Sequence, residues 1–291
     1  MESVELLVDT VENAVDALAG RPLAALTGAG LSTDSGIPDY RGPGSPRRLP
    51  MTYREFLSGP TAQRRYWARS HVGWTRIGKA APNDGHRALA ALERSGPLRG
   101  LITQNVDGLH TAAGSRAVID LHGRIADVIC TACGRRSSRA ALQQRFAAAN
   151  PGFVETAGDA VETAPDGDAE LAATDGFRLV GCDGCGGLLK PDVVFFGENV
   201  PRERVARAYA MVDDAADDDG ALLVAGSSLT VMSGLRFVRH ARKRGIPVVI
   251  VNRGATRGDP LADVRIDAGC SETLTALAAA LSGSGWRSPD R

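Results

Sequence analysis

The chain has 291 residues, 43% hydrophobic and 23% charged, enough to bury the core of one large or two unequal domains. Thirty-four basic residues balance 34 acidic ones, so no net field gathers nucleic acid or an anionic membrane surface. Only Lys79, Lys190 and Lys243 are lysines, which reflects an arginine-, alanine- and glycine-rich composition rather than a function.

The first 20 residues, MESVELLVDTVENAVDALAG, carry acidic residues throughout and lack a basic stretch followed by an apolar core. They read as neither a secretory signal nor a transit peptide. No run approaches the about 20 apolar residues that cross a bilayer, so the expected compartment is the cytoplasm. Val4, Leu7, Val11, Val15 and Leu18 recur at spacings of three and four, which predicts an amphipathic helix over residues 1–19. Gly20 and Pro22 stop it, and the apolar run Leu23 to Leu26 has the length of a buried strand.

That strand breaks into Gly28-Ala29-Gly30, followed by Ser32, Thr33 and Asp34. A strand running into Gly-x-Gly is how a backbone approaches a pyrophosphate, because side chains block the approach and free N–H groups are needed. The sixth position of the dinucleotide pattern is Thr33 rather than glycine, and no strand-end acid stands about 20 residues on. The same residues therefore read equally as a tight turn without a ligand. Ser35 to Arg41 then brings a proline, a carboxylate (Asp39), an aromatic (Tyr40) and a guanidinium (Arg41), the makings of a loop that folds over a bound ligand.

Gly42 to Pro50, GPGSPRRLP, is too rich in Gly and Pro for regular structure and reads as a mobile loop. Residues 52–78 read as helical, and Asn83-Asp84 caps a helix with Leu89 and Leu92 on its apolar face. Two short strands follow, Leu101 to Thr103 running into Gln104-Asn105-Val106-Asp107 and Val118 to Leu121 running into His122-Gly123. Ala221 to Ala225 ends in Gly226-Ser227-Ser228, Ser233 to Arg244 is a helix closed by Gly245, and Ile246 to Val251 runs into Asn252-Arg253-Gly254. This alternation predicts an α/β fold, a Rossmann-like parallel sheet with helices on both faces and polar loops at the strands' carboxyl ends. The nucleotide-binding domain is expected to be discontinuous, over 1–42, 84–125 and 188–291. A helical module over 43–83 and a zinc-binding module over 126–187 interrupt it.

The second insert carries Cys130-x-x-Cys133 and Cys182-x-x-Cys185, each pair followed by glycine. Two residues between thiolates let one turn present both sulfurs to a tetrahedral ion. Disulfides and a redox pair are the alternatives, but a chain without an export signal sits among reduced thiols, and two matched pairs favour one closed site of four cysteines. Four thiolates leave no open position for water, so the zinc is expected to be structural. The fifth cysteine, Cys270, follows a strand-like stretch and reads as a buried small hydrophobe.

GAGLSTDSGIPDYRG, GLITQNVDGLH, LHGR, KPDVVFFGE, GSS and NRG occur in that order. Together they resemble the signatures of the sirtuins, the NAD-dependent protein lysine deacylases, over about residues 10–280. The resemblance implies that NAD lies across the sheet edge. Its pyrophosphate would rest on Gly28, Ala29, Gly30 and Ser227, with Ser32, Thr33, Asp39, Tyr40 and Arg41 about it. Gln104, Asn105 and Asp107 would hold the nicotinamide and its ribose. The far end would meet Gly226, Ser228, Asn252, Arg253, Gly254 and, through its backbone, Cys270. It further implies that an acyl-lysine carbonyl oxygen attacks the ribose anomeric carbon as nicotinamide leaves. His122 would act as general base on a ribose hydroxyl, giving nicotinamide, O-acyl-ADP-ribose and free lysine. NAD is then consumed as a co-substrate. Val193, Val194, Phe195, Phe196, Gly197 and Glu198 would form the extended segment on which an acyl-lysine protein substrate adds as a strand. Asn105, Asp107 and His122 are the expected catalytic residues. Nucleic acid and membranes are not expected partners, and the sequence leaves the oligomeric state open, a monomer being compatible with it.

Two features bear on the acyl group. Tyr66 and Arg69 share a helix face. They resemble the pair with which some sirtuins grip acidic acyl groups such as succinyl, while a solvated helix face is the plain alternative. PTAQRRYWARSHVGW, GRRSSRAALQQRF and the insert APDGDAEL (Ala164 to Leu171) resemble the class II sirtuins of the mitochondrial lipoamidase-like type. Tyr40 stands where Phe is commoner, which keeps the aromatic wall and adds a hydroxyl. Rival activities on the same residues are protein mono-ADP-ribosyl transfer and non-catalytic sensing of NAD or ADP-ribose.

Overall fold

A computed structural model describes residues 11–42, 50–157, 165, 166, 169, 171 and 173–283, with side chains excepted at 75–77. The expected start of the first helix, most of the Gly/Pro-rich loop and much of the insert after Ala164 lie outside the described residues. Residues 11–18 form α1. It is followed by β1 (Leu23–Thr27), two 3-10 turns (Ala29–Leu31 and Thr33–Ser35), α2 (Tyr53–Phe56), α3 (Pro60–Ile77), α4 (Asp84–Ser95), β2 (Leu98–Thr103), α5 (Leu109–Ala112) and β3 (Val118–Asp120). The middle of the chain gives β4 (Gly123–Cys130), β5 (Arg136–Ser138), α6 (Arg139–Ala149), α7 (Phe153–Ala157) and β6 (Leu189–Val193). The last part gives α8 (Arg202–Asp217), β7 (Ala221–Ala225), α9 (Met232–Arg244), β8 (Val248–Val251), β9 (Val264–Ile266) and α10 (Cys270–Gly283).

Six strands form one parallel sheet in the order β3-β2-β1-β7-β8-β9. All five residues of β1 are buried, because the strand is covered on both faces. Its alternate side chains feed two cores. Leu23 and Ala25 pack with Leu89 of α4 and Leu274 of α10, while Ala24 and Leu26 pack with Val212 of α8 and Phe237 of α9. The chain leaves β1 towards β2 on one side and returns at β7 on the other. The crevice beyond the carboxyl ends of β1 and β7 is therefore the topological switch point, where such sheets bind ligands.

The expected division of the smaller modules does not match the packing. β6, assigned from the sequence to the nucleotide domain, pairs antiparallel with β4 in a separate sheet of order β5-β4-β6. Phe56, Tyr66 and Trp67 of the helical stretch share one core with Val128, Cys130, Phe146, Phe177, Cys182, Leu189 and Phe195. The helical and cysteine-bearing segments thus bury their apolar faces on each other rather than separately. Arg139, fully buried, ties them together. Its guanidinium lies 5.5 Å from the Trp67 ring and 5.0 Å from the Trp74 ring and donates to the Ser70 carbonyl. Burial pushes its pKa down to about 10, which leaves it charged at neutral pH. Among the described residues no helix is long and apolar enough to cross a membrane.

Candidate active site

A cavity of about 540 Å³ fills the crevice at the switch point. The loops after β1, β2, β7 and β8 line it, together with His122 and the chain from Val193 to Val200. Of the expected NAD-binding residues, Gly28, Ala29, Gly30, Ser32, Asp39, Tyr40, Arg41, Gln104, Asn105, Asp107, Gly226, Ser227, Ser228, Asn252, Arg253 and Gly254 all face it. Thr33 and Cys270 do not. Thr33 is exposed beyond the first turn, where its hydroxyl donates to the Gly30 carbonyl. Cys270 opens α10 beneath the end of β8, with its Sγ 3.9 Å from the Val251 carbonyl and its thiol pushed up to about 12 by burial.

The glycines of the first loop do a different job from the expected one. The Gly28 N–H donates to the Ala225 carbonyl at 3.1 Å, and the Gly30 N–H to that of Gly226 at 2.8 Å. These two N–H groups therefore close the loop on β7 and are not free for a phosphate. A side chain at Gly28 would meet the Gly226 carbonyl oxygen at 2.8 Å, and Gly226 itself has a φ of 64° with the Leu31 nitrogen 2.2 Å from where a Cβ would stand. Glycine is required here so that the β1 and β7 loops can touch and form the cavity floor.

Asn105 and Asp107 are locked to that floor. The Asn105 amide donates to the Gly28 carbonyl at 2.9 Å and to the Ser32 hydroxyl at 3.1 Å. The Ser32 hydroxyl in turn donates to Asp107 at 2.7 Å, and the other Asp107 oxygen accepts the Leu109 N–H at 2.9 Å. Gln104 accepts from the Ser227 hydroxyl at 2.6 Å, which ties the β2 loop to the β7 loop. His122 stands half-buried at the end of β3. Its Nδ1 lies 2.9 Å from the Gln104 carbonyl and its Nε2 2.8 Å from the Ser233 hydroxyl. A carbonyl only accepts, so Nδ1 carries the proton of the neutral ring and Nε2 is left as the basic atom. Burial pushes its pKa below the usual histidine value, opposed by the Gln104 carbonyl and assisted by Arg204.

Val193 to Glu198 form the opposite wall, but not as a free strand edge. The Val194 N–H donates to the His122 carbonyl at 2.7 Å, and the Phe195 N–H to Glu198 at 2.9 Å. The Phe196 carbonyl accepts from Tyr53. Lys190, buried, pins the turn through Glu198 at 3.0 Å. Tyr40 packs edge-on to Phe196 with ring centroids 5.8 Å apart, so the loop after β1 reaches this wall. Pro165 and Asp166 of the insert also line the cavity. Tyr66 and Arg69 do not. Tyr66 is 2% exposed, wedged among Phe56, Trp67 and Phe195, and the Arg69 guanidinium donates to the Ala169 carbonyl at 2.6 Å. Their shared helix face turns into the small domain's core and towards the insert.

Sequence reasoning also missed Ser233, Met232 and Arg236 as cavity residues. They belong to the first two turns of α9, where helix periodicity marks no cavity-facing side.

Behind Asp107 lies a fully buried histidine pair. His110 Nε2 is 2.9 Å from the Thr27 hydroxyl, and its ring centroid is 4.8 Å from that of His86 in the capping box of α4. Burial pushes His86 down to about 4 and His110 to about 3. In the unfolded chain both titrate near ~6.5, so at pH values between these limits the unfolded state binds more protons. The pair costs no stability above about pH 6.5 and up to about 1.4 kcal/mol per pH unit per histidine below it. Urea denaturation from pH 7.5 to 5 should show this slope, and a His86→Asn/His110→Gln chain that folds should show less of it. An unchanged slope in that chain would assign the acid sensitivity elsewhere.

The four cysteines converge at the end of the small sheet, with their sulfurs all within 4.8 Å of one another. Cys130 and Cys185 are 3.5 Å apart and Cys133 and Cys182 3.8 Å. Four sulfurs 2.3 Å from a central ion stand about 3.8 Å apart, so the donors fit tetrahedral zinc. The thiols make conflicting demands without a cation. Cys130 is pulled down to about 6, first by the Cys133 N–H, whereas for Cys185 the pull of the Gly187 N–H is overcome by the crowding thiols of Cys133 and Cys130, and the net is a push up to about 12. A divalent ion lets all four ionise. A Cβ at Gly187 would stand 3.1 Å from both Cys130 and Cys185 sulfurs, so a glycine keeps this space open.

The Sir2 family model matches residues 28–233. The NAD-dependent protein deacetylase 1 of Mycobacterium avium is 60% identical over 270 residues, covering 92% of this chain and 94% of that protein. Among solved structures, a mutant Sir2 homologue in complex with ADP-ribose superposes with a TM-score of 0.70 at 31% identity, covering 94% of this chain and 96% of the other. A Sir2 complex with a p53 peptide and NAD+ gives a TM-score of 0.65 at 30% identity, covering 87% and 90%.

Proposed function

Since this chain belongs to the Sir2 family, we propose that its cavity carries out NAD-dependent removal of acyl groups from protein lysines with Asn105, Asp107 and His122 at the reacting centre. The protein is an NAD-dependent protein deacetylase, with NAD as co-substrate and a structural zinc ion. Its substrates are proteins. The residue roles rest above all on one observation, the His122 ring held by the Gln104 carbonyl with its basic Nε2 at the cavity beside Asn105 and Asp107.

In this reading the β1 and β7 loops form the floor for the pyrophosphate. Donation comes from groups other than the N–H of Gly28 and Gly30, which are used within the protein. Asn252 braces the far end of the NAD site by donating to the Arg253 and Gly254 carbonyls. Asp107, oriented by Ser32 and the Leu109 N–H, and Asn105 hold the nicotinamide end. His122 takes the proton of the ribose hydroxyl that attacks the acyl carbon. An acyl-lysine enters between Tyr40, Phe196 and Val193 to Phe195. The zinc supplies no chemistry; it holds β4 and β6, and through β6 the substrate wall. We place the enzyme in the cytoplasm, since a four-thiolate zinc site keeps its cysteines best in a reducing compartment.

Neutral acyl groups suit this cavity better than acidic ones. Neither Tyr66 nor Arg69 lines it, so neither stands where it could clamp an acyl carboxylate. Nicotinamide release from NAD with identical peptides bearing acetyl, succinyl, glutaryl, hydroxymethylglutaryl, lipoyl or long-chain lysine tests this. The expected result is peptide-dependent release with acetyl or longer neutral chains and weaker release with succinyl. Succinyl faster than acetyl overturns the exclusion of a carboxylate clamp, and label from NAD left on protein instead of O-acyl-ADP-ribose moves the activity to ADP-ribosyl transfer. The class II subtype fits the insert reaching the cavity through Pro165 and Asp166.

A further inference from the structure

We propose that Ser233 is a positioning residue for this reaction, its hydroxyl serving the general base His122 both before and after proton transfer. This rests on the assignment of His122 as the base. Ser233 stands in the first turn of α9, 2.8 Å from Nε2, while Nδ1 is fixed by the Gln104 carbonyl at 2.9 Å. With the proton held on Nδ1, Nε2 can only accept, so the serine hydroxyl donates to the neutral ring. After His122 has taken a proton from the ribose hydroxyl, Nε2 becomes a donor. A hydroxyl rotates freely and offers lone pairs, so the same oxygen then accepts from the imidazolium.

Three strand-end segments converge to make this arrangement. Gly234, the next residue, lets α9 come so close that a side chain there would meet the Gln104 amide at 2.7 Å. The Gln104 side chain in turn accepts from Ser227, so the carbonyl that orients His122 is itself braced. Both His122 and Ser233 line the cavity, so the serine stands where an incoming ribose hydroxyl must share or take its place. A hydrogen bond to an ionised group is about twice as strong as a neutral one, so Ser233 favours the protonated ring over the neutral one. It thereby offsets part of the loss of basicity that burial imposes on His122.

Arg204 of α8 opposes protonation of the ring, and Asp39, Arg41, Asp166, Glu198, Arg236 and Arg253 line the same cavity. Asp107 and Asp120 stand at the neighbouring strand ends with Arg124. None of these changes when Ser233 does. In the zinc-loaded full chain, Ser233→Ala is expected to lower kcat about tenfold with the KM for NAD unchanged. The acid limb of its kcat profile should move to lower pH, because the protonated base has lost its stronger bond. Ser233→Thr, which keeps a hydroxyl, should restore both. Wild-type kcat and an unmoved limb in Ser233→Ala overturn the proposal, as does a fall in kcat with a raised KM and an unmoved limb, which is a purely structural effect. His122→Ala runs alongside: if it retains turnover, the base assignment fails, whereas a dead His122→Ala beside a wild-type-like Ser233→Ala defeats this inference alone.

Discussion

His122→Ala should lose turnover by about 10²- to 10⁴-fold, the range lost with a positioned general base. NAD binding and zinc content should stay near wild type. The reasoning is geometric. The ring's contacts are to the Gln104 carbonyl and the Ser233 hydroxyl, and neither is needed to shape the loops after β1 and β7. The cavity floor depends instead on the bonds of Gly28 and Gly30 to β7 and its loop, and on Asn105 and Asp107 held through Ser32. The wild-type pH profile should share the cause. Because burial lowers the His122 pKa, the ring stays neutral below the usual ~6.5 of a histidine, and the acid limb of kcat/KM should fall below that value. Steady-state assays with calorimetric NAD titration and metal analysis test all of this. A His122→Ala enzyme of near-native rate would falsify the assignment of the base.

Stripping the zinc, or losing its site through Cys133→Ser, should abolish activity by a different route. Apparent binding free energies of structural zinc run about 10–16 kcal/mol, as large as the whole stability of a typical domain of about 5–15 kcal/mol. Cys130 and Cys182 belong to the small domain's core, where they pack with Val128, Leu189, Phe195 and Trp67. Without the ion, four crowded thiols replace four thiolates gathered on one cation, and β4 and β6 lose their clamp. Phe195 serves both that core and the cavity wall, so the substrate side fails while the six-stranded sheet, with its own two cores, remains folded. Chelation should therefore give loss of deacylation, proteolytic cleavage in the segment 126–187 and retention of a resistant fragment containing the large sheet. Full activity and unchanged proteolysis in a zinc-free chain would show that the small domain stands without the metal.

Much of the large domain was legible from the residues. β1 and β7 are short apolar runs bounded by Gly-x-Gly and Gly-Ser-Ser, and a strand buried on both faces must be apolar throughout. The loop motifs are equally local, and most of their residues, though not Thr33, line one cavity because parallel strands put their carboxyl ends on one edge. The small sheet was not legible. β5 is exposed along its length, and β6 contains a proline and a lysine, so neither carries a strand's apolar signature. Their pairing joins Ile129 to Lys190 and Val128 to Ser137, partners far apart or polar, which no local pattern announces.

Tyr66 and Arg69 show the same boundary from the other side. Their spacing rightly put them on one helix face, but spacing does not say what that face meets. Packing against Phe56, Phe195 and the insert decided it. Gly28 and Gly30 line the cavity as their motif implies, yet where their N–H groups point was settled by β7, some 200 residues away. Ser233 belongs to no motif and gains its role from a contact with His122 across the crevice. The sequence by itself determined the strand ends, the residues offered there and the four-cysteine site, because these depend on burial and short-range spacing. Tertiary structure alone decided the pairing of β6 with β4, the use of each hydrogen bond and the partner of the His122 ring, because each is a contact between segments distant in the chain.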